Sequence, residues 1–327
     1  MLTLNGRPLA GSLEDLIGGT PAVKLDLGLD ESPGTTVYAK LEMANPLSSV
    51  KDRTALYMIE AAEKAGLLRP GDGTVVEASS GNTGISLAAL SAARGYRCVI
   101  VLPDNATNER IQMLRAFGAE LVLTPHEQGY PAAIEKAEEI HRERPGSWFA
   151  CQHENADNVQ AHYATTGPEI WADTEGRVDV FVCGVGTGGT LSGAARYLKE
   201  QNPAIRVVAI EPERSPLLSQ GWGGLHKIPG LNGGFIAPTT DTEIVDDVVA
   251  VSDDDAFAAA RLLARTNGLL VGVSSGAAAH ACRVLAARPE YAGKTIVTLF
   301  PDTGERYLSW FQAAADSDQT TDDDTEE

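Results

Sequence analysis

The first place to look for chemistry in this chain is a lysine at the start of a helix. It stands in Asn45-Pro46-Leu47-Ser48-Ser49-Val50-Lys51-Asp52-Arg53. Residues 37–43 before it alternate like a strand, and Asn45-Pro46 marks a turn. Ser49 is placed to cap the helix, and Leu56, Ile59 and residues 62–65 repeat at helical spacing. Lys51 thus leaves a strand-to-helix junction beside the positive end of a helix. That field disfavours an ammonium and favours a neutral amine or an imine, the state a Schiff-base lysine needs. Alone, Lys51 would read as a solvated surface lysine. Three further sites, each expected after a buried strand, change its weight.

The first is Glu77-Ala78-Ser79-Ser80-Gly81-Asn82-Thr83-Gly84. Hydroxyls, an amide and free helix-start N–H groups crowd together there, a natural cradle for a carboxylate. Capping by Ser80 or Asn82 would need one such residue, and four stand there. The second is Gly184-Val185-Gly186-Thr187-Gly188-Gly189-Thr190, after a strand ending at Cys183. Its glycines let backbone N–H groups converge on an anion and its threonines add hydroxyls, which suits a phosphate monoester. Gly184-x-Gly186-x-x-Gly189 also matches the dinucleotide fingerprint, with Glu211 where a ribose-binding acid belongs. The pattern alone does not choose between a nicotinamide-dependent oxidoreductase and an enzyme that holds a smaller phosphate. The third site, Gly272-Val273-Ser274-Ser275-Gly276, imitates the hydrolase nucleophile elbow. The histidine that follows, His280, lies one turn along the same helix, which argues against a triad. Ser274 is instead free to hydrogen-bond a ligand nitrogen. A lysine, a phosphate cup and a serine for a ring nitrogen together describe pyridoxal phosphate.

These sites need strands to present them. Strands over 74–78, 97–102, 120–123, 178–183, 206–210, 244–251 and 295–299 are expected to alternate with helices over 82–94, 108–117, 131–144, 189–200, 254–266 and 275–287, and a last helix is expected from 305. The alternation implies an α/β fold with mainly parallel sheets, and its restart after Cys151 suggests two domains. In such folds ligands sit at the carboxyl ends of strands.

At 327 residues and 43% hydrophobic content the chain can build two ordinary cores. The opening MLTLNGRPLAGS lacks a secretory pattern, and no apolar run approaches the roughly 20 residues of a membrane span, so a soluble, cytoplasmic protein is expected. Cys98, Cys151, Cys183 and Cys282 are far apart, and the histidines show no ligand spacing, so no disulfide and no metal is expected. The net charge is −19, and the last twelve residues, 316–327, hold seven acids and read as a disordered tail. This charge argues against nucleic acid or anionic membranes as partners and suggests a halophile-like acidic surface.

Over residues 16–308 the chain resembles the fold-type II pyridoxal-phosphate enzymes, and within them the cysteine synthase/cystathionine β-synthase family. The resemblance rests on Gly18-Gly19-Thr20-Pro21, the Lys51 segment, Ser80-Gly81-Asn82-Thr83-Gly84, Thr165-Thr166-Gly167-Pro168-Glu169-Ile170-Trp171, the loop 186–190, Ser274-Ser275-Gly276-Ala277 and Gly304-Glu305-Arg306-Tyr307-Leu308. It implies two three-layer αβα domains, tryptophan synthase β-like. The smaller mobile domain would span 45–155 and the larger one 1–44 plus 156–315. It also implies Lys51 as Schiff-base lysine and acid/base for the α-proton, and Asn82 on the cofactor's 3′ oxygen. Gly186, Thr187, Gly188, Gly189 and Thr190 would hold the phosphate, and Ser274 would meet the pyridine nitrogen. Ser79, Ser80, Asn82, Thr83 and Gln152 would take the substrate carboxylate. The implied activity makes cysteine from O-acetylserine and sulfide through an α-aminoacrylate. A homodimer, often in complex with serine acetyltransferase, is the implied assembly. Thr83, where threonine dehydratases carry histidine, favours the synthases. Cystathionine β-synthase and O-phosphoserine sulfhydrylase are the alternatives within the family. Residues 227–235 lack the arginine that phosphoserine users place there, although Lys227 could partly substitute.

Overall fold

The computed structural model describes residues 2–4, 7–28 and 34–312, so the acidic segment 316–327 lies outside the described residues. The strands are β1 Leu2–Leu4, β2 Arg7–Leu9, β3 Ala22–Lys24, β4 Thr36–Leu41, β5 Thr74–Ala78, β6 Arg97–Pro103, β7 Glu120–Thr124, β8 Ser147–Phe149, β9 Val180–Gly184, β10 Arg206–Pro212, β11 Asp247–Val251 and β12 Thr295–Phe300. The helices are α1 Lys51–Lys64, α2 Asn82–Arg94, α3 Asn108–Ala116, α4 Gly129–Glu143, α5 Ala156–Ala161, α6 Gly167–Asp173, α7 Gly189–Gln201, α8 Leu217–Gln220, α9 Asp253–Thr266 and α10 Val273–Ala286.

Two sheets carry the fold. One runs β7-β6-β5-β8 and is parallel throughout. The other runs β11-β10-β9-β12-β4-β3, parallel except for β3, which lies antiparallel to β4 with Ala22 opposite Lys40. The composition explains the parallel pairing. Every residue of β5 is buried, as are residues 98–102 of β6 and 207–212 of β10. Strands apolar on both faces need helices above and below, which crossover connections supply. Helices α1 and α2 pack Met58, Ile59, Leu87 and Leu90 into a core shared with Val75 and Ile100 of the first sheet. Helix α10 packs Ala277, Ala281 and Leu285 against Val180, Val182 and Ile296 of the second.

The structure corrects several local expectations. Strand β8 and helices α5 and α6 were not foreseen. Residues 242–244 form a 3-10 turn, and the strand expected there begins only at Asp247. The serine turn at 272–276 does not follow a strand, because Val271 makes only an isolated bridge to Thr303. Helix α10 starts at Val273, so Ser274 stands inside its first turn. At α1 the N-cap position belongs to Val50, not Ser49, whose hydroxyl still accepts the Lys51 N–H at 3.3 Å.

Candidate active site

Lys51 is held in place by a buried ionic cluster two residues along its helix. Arg53 is 1% exposed and Glu42 is fully buried. Arg53 Nε and Nη2 donate to the two Glu42 oxygens at 2.7 and 2.9 Å, while Nη1 and Nη2 donate to Glu169 at 2.6 and 2.7 Å. The Thr20 hydroxyl and Asn45 Nδ2 donate to Glu42 at 2.7 and 2.8 Å, and the Gly19 N–H donates to Glu169 at 3.0 Å. Lys40 bridges Glu169 and Asp173 at 2.9 and 2.8 Å. The cluster ties β4, α1 and α6 to one point, so the start of α1 cannot drift. It also gives Gly18, Gly19 and Thr20 of the first segment and Glu169 of 165–171 a place in holding α1.

Lys51 faces a cleft at the carboxyl ends of β5, β9 and β12. The inner part is lined by Lys51, Asn82, Gly186, Thr187, Ser274 and Asp302, among others. Gly188 and Thr190 also line it. The outer part, sharing Lys51 and Asn82, is lined by Ser79, Ser80, Thr83 and Gln152. Gly189 does not line the cleft. It begins α7, and a Cβ there would lie 2.2 Å from Asn158 Oδ1, so glycine lets Asn158 reach across and donate to Thr187 Oγ1 at 2.9 Å. Gly188 sits at φ 79°, a left-handed conformation suited to glycine, and turns the loop into α7. The Gly189 N–H donates to Thr187 Oγ1 at 3.4 Å, and glycine at the N-cap position leaves the N–H groups after it without a side-chain cap.

Within the carboxylate cradle the capping role falls to Ser79. Its hydroxyl accepts from Gly81 and Gly84 N–H at 3.3 and 3.1 Å, whereas neither Ser80 nor Asn82 caps α2. Thr83 donates to Gln152 Oε1 at 2.6 Å. The Asn82 amide is clamped at both ends. Arg306, a donor only, bonds Oδ1, which fixes Nδ2 toward Asp302, 2.7 Å away. Asp302 also accepts from Tyr307 at 2.6 Å, and its Oδ1 is buried without a partner. Asp302 was not singled out from the sequence, and Arg306 entered only as part of the segment 304–308, with no role given to it. A carboxylate directly after an apolar strand was the available signal for the first.

Burial drives the Lys51 ammonium down to about 8, with the Asp302 carboxylate opposing it. Burial pushes the Cys183 thiol up to about 12, so it remains neutral. His162, fully enclosed between Thr54 and Thr190 at 3.2 and 3.1 Å, is pushed well below the ordinary histidine value by burial and by the positive charges of Lys51 and Arg53. It is a neutral support behind the phosphate-type loop. Glu211 does not await a ribose. It accepts from the N–H groups of Leu218 and Ser219 at 2.7 and 3.2 Å and from the Ser219 hydroxyl, fastening α8. The dinucleotide reading loses its acid.

The model of the family described as pyridoxal-phosphate dependent enzyme matches residues 13–302. The chain belongs to this family. It is 49% identical to the cysteine synthase of Staphylococcus aureus over 299 residues, 91% of this chain and 95% of the relative. A cysteine synthase structure from Entamoeba histolytica superposes with a TM-score of 0.88 at 41% identity, covering 94% of this chain and 92% of that one. An O-acetylserine dependent cystathionine beta-synthase structure from Helicobacter pylori superposes with a TM-score of 0.86 at 40% identity, covering 92% and 98%. As a member of the family the chain uses pyridoxal phosphate, and the fold is that of the fold-type II enzymes.

The residues present fit this cofactor. The uncapped N–H groups after Gly189 in the first turn of α7 and the Thr187 hydroxyl form an anion cup. The Thr187 proton is free for an acceptor in the cleft because Asn158 donates to its oxygen. Across the cleft stands an amine whose ammonium form burial has already weakened.

Proposed function

We propose that this chain forms L-cysteine from O-acetyl-L-serine and sulfide by β-replacement. The observation that carries the reading is the convergence of Lys51, the carboxylate cradle and the glycine loop on one cleft. The names of the similar proteins support the choice of reaction. The cofactor, when bound, supplies an electron sink for the carbanion at the substrate Cα.

The protein supplies the rest. Lys51 Nζ holds the cofactor and then takes and returns the Cα proton. A group near pH 8 is well matched to that task, since a proton-transfer group works best with a pKa near the operating pH. The loop 186–190 would hold the phosphate through Gly186, Thr187, Gly188 and Thr190, with Gly189 behind it giving Asn158 room to reach Thr187. Asn82, fixed by Arg306 and Asp302, would offer its remaining N–H to the cofactor's 3′ oxygen. Ser274 offers a neutral hydroxyl to the ring nitrogen, which keeps the sink moderate and favours elimination over transamination. Ser79, Ser80, Asn82, Thr83 and Gln152 hold the substrate carboxylate at the start of α2.

The division into a mobile unit over 45–155 and a larger unit over 1–44 plus 156–315 belongs to the same proposal. The four-stranded sheet falls wholly in the first and the six-stranded sheet wholly in the second, and closure of the first over substrate would exclude water. So do a homodimer, an association with serine acetyltransferase and a cytoplasmic location. Among the described residues no helix is long and apolar enough to cross a membrane. Lys51→Ala tests the reading. It should abolish cysteine formation while the circular dichroism spectrum stays unchanged, and near-normal turnover in that variant would defeat it.

A further inference from the structure

Arg110 is a cation without an anion. It lies in the first turn of α3, and its side chain lines the outer cleft together with Ser79, Ser80, Asn82 and Thr83. Its guanidinium carbon stands 5.6 Å from the centroid of the Tyr307 ring. Among the described residues no acceptor lies within hydrogen-bond reach of it and no carboxylate within ion-pair distance, and its Nε is shut off from solvent and unpaired. Arg53, Arg94 and Arg144 each hold carboxylates at 2.6–2.9 Å. The charge of Asp302 reaches Arg110, but that carboxylate is already bonded to Asn82 and Tyr307. An unpaired donor removed from water is costly, and one that borders a cleft is placed for a ligand or a water to complete it. A planar cation held over a ring with its fork of N–H groups open is a receptor for an oxyanion.

We propose that Arg110 receives the group that leaves the substrate's Cβ as an oxyanion, and so sets which activated serines react. The proposal rests on the β-replacement reading above. In the elimination the Cα proton passes to the Lys51 amine. The C–H electron pair becomes the Cα–Cβ double bond, and the Cβ–O pair stays on the departing oxygen. Negative charge therefore appears on the leaving group, a carboxylate from O-acetylserine or a phosphate from O-phosphoserine. The cradle at the start of α2 is already assigned to the substrate's own carboxylate, which leaves Arg110 for this second anion. The sulfide addition that follows no longer contains the leaving group, so Arg110 acts on the first half of the reaction only.

The test uses the holoenzyme and its Arg110→Gln and Arg110→Lys variants. The visible band of the bound cofactor is followed after mixing with O-acetylserine or O-phosphoserine, and again after adding sulfide. Arg110→Gln should slow the first change about 10- to 100-fold at saturating serine ester, the range expected for a lost charged hydrogen bond. Arg110→Lys should recover part of that loss. The starting band and the sulfide step should stay as in the parent. A larger loss with O-phosphoserine assigns the site to phosphate, and a larger loss with O-acetylserine assigns it to carboxylate. An unchanged first step with both esters overturns the proposal, as does equal slowing of both steps, which is the mark of a merely structural role. A parent holoenzyme whose band answers neither ester overturns the β-replacement reading itself.

Discussion

Lys51 is expected to destabilise the cofactor-free protein, and the size of that effect follows from its surroundings. Burial brings its ammonium from the ordinary 10.5 to about 8. At about 1.4 kcal/mol per pH unit, that gap amounts to roughly 3 kcal/mol of folding free energy lost to keeping the charge in the cleft. Lys51→Met keeps the aliphatic stem and removes the charge. At pH 7 the cofactor-free variant should therefore be about 3 kcal/mol more stable than the parent. The sign with pH is fixed by linkage. Below about 8 both native and unfolded parent carry the proton, and the penalty is complete. Between about 8 and 10.5 the native state has released a proton that the unfolded state still holds, so parent stability rises with pH. The advantage of the variant should shrink through that window and vanish above it. Urea unfolding at a series of pH values, with cofactor removed from both proteins, measures this directly. A variant no more stable than the parent at pH 7, or an advantage that does not change with pH, would refute the argument that the cleft desolvates this amine.

Three further outcomes follow from the same geometry. Arg53→Met strands the fully buried Glu42 carboxylate and should cost about 3–5 kcal/mol in urea unfolding; a loss below about 1 kcal/mol would mean the cluster does not anchor α1. Burial opposes ionisation of Glu169, but Arg53 prevails and holds it at about 2, so its contribution is complete above about 4.5 and lost as pH falls toward 2. Glu169→Gln should flatten that acid limb, and an identical limb in both proteins would contradict the pairing. Thr187→Ala with Thr190→Ala should weaken cofactor binding in equilibrium dialysis by about 1 kcal/mol or more per lost hydrogen bond; unchanged affinity would place the phosphate elsewhere.

The elements that carry the cleft were legible because their signals are local. Thr74–Ala78 is a run of residues suited to a doubly covered strand, and Gly81 and Gly188 punctuate the starts of α2 and α7 within a few residues of it and of β9. What was not legible is what joins distant segments. Thr20, Glu42, Arg53 and Glu169 are scattered over 150 positions, and no periodicity links them. A charged Lys40 and Glu42 at the end of an apolar strand was the one clue, since a buried charge must find a partner. Arg306 and Asp302 meet Asn82 across more than 200 positions, again through tertiary contact alone. Glu211 shows the opposite failure. It stands where the dinucleotide pattern wants an acid, yet a short helix that begins six residues later consumes it.

The central claim is that Lys51, the carboxylate cradle and the glycine loop act together on one activated serine. The visible absorption spectrum of the purified holoenzyme tests it most directly, recorded before and after O-acetylserine and again after sulfide. The account predicts a lysine-bound cofactor band that shifts with O-acetylserine and returns with sulfide as cysteine appears. A protein that stays colourless with added pyridoxal phosphate, or a band indifferent to O-acetylserine, would contradict it.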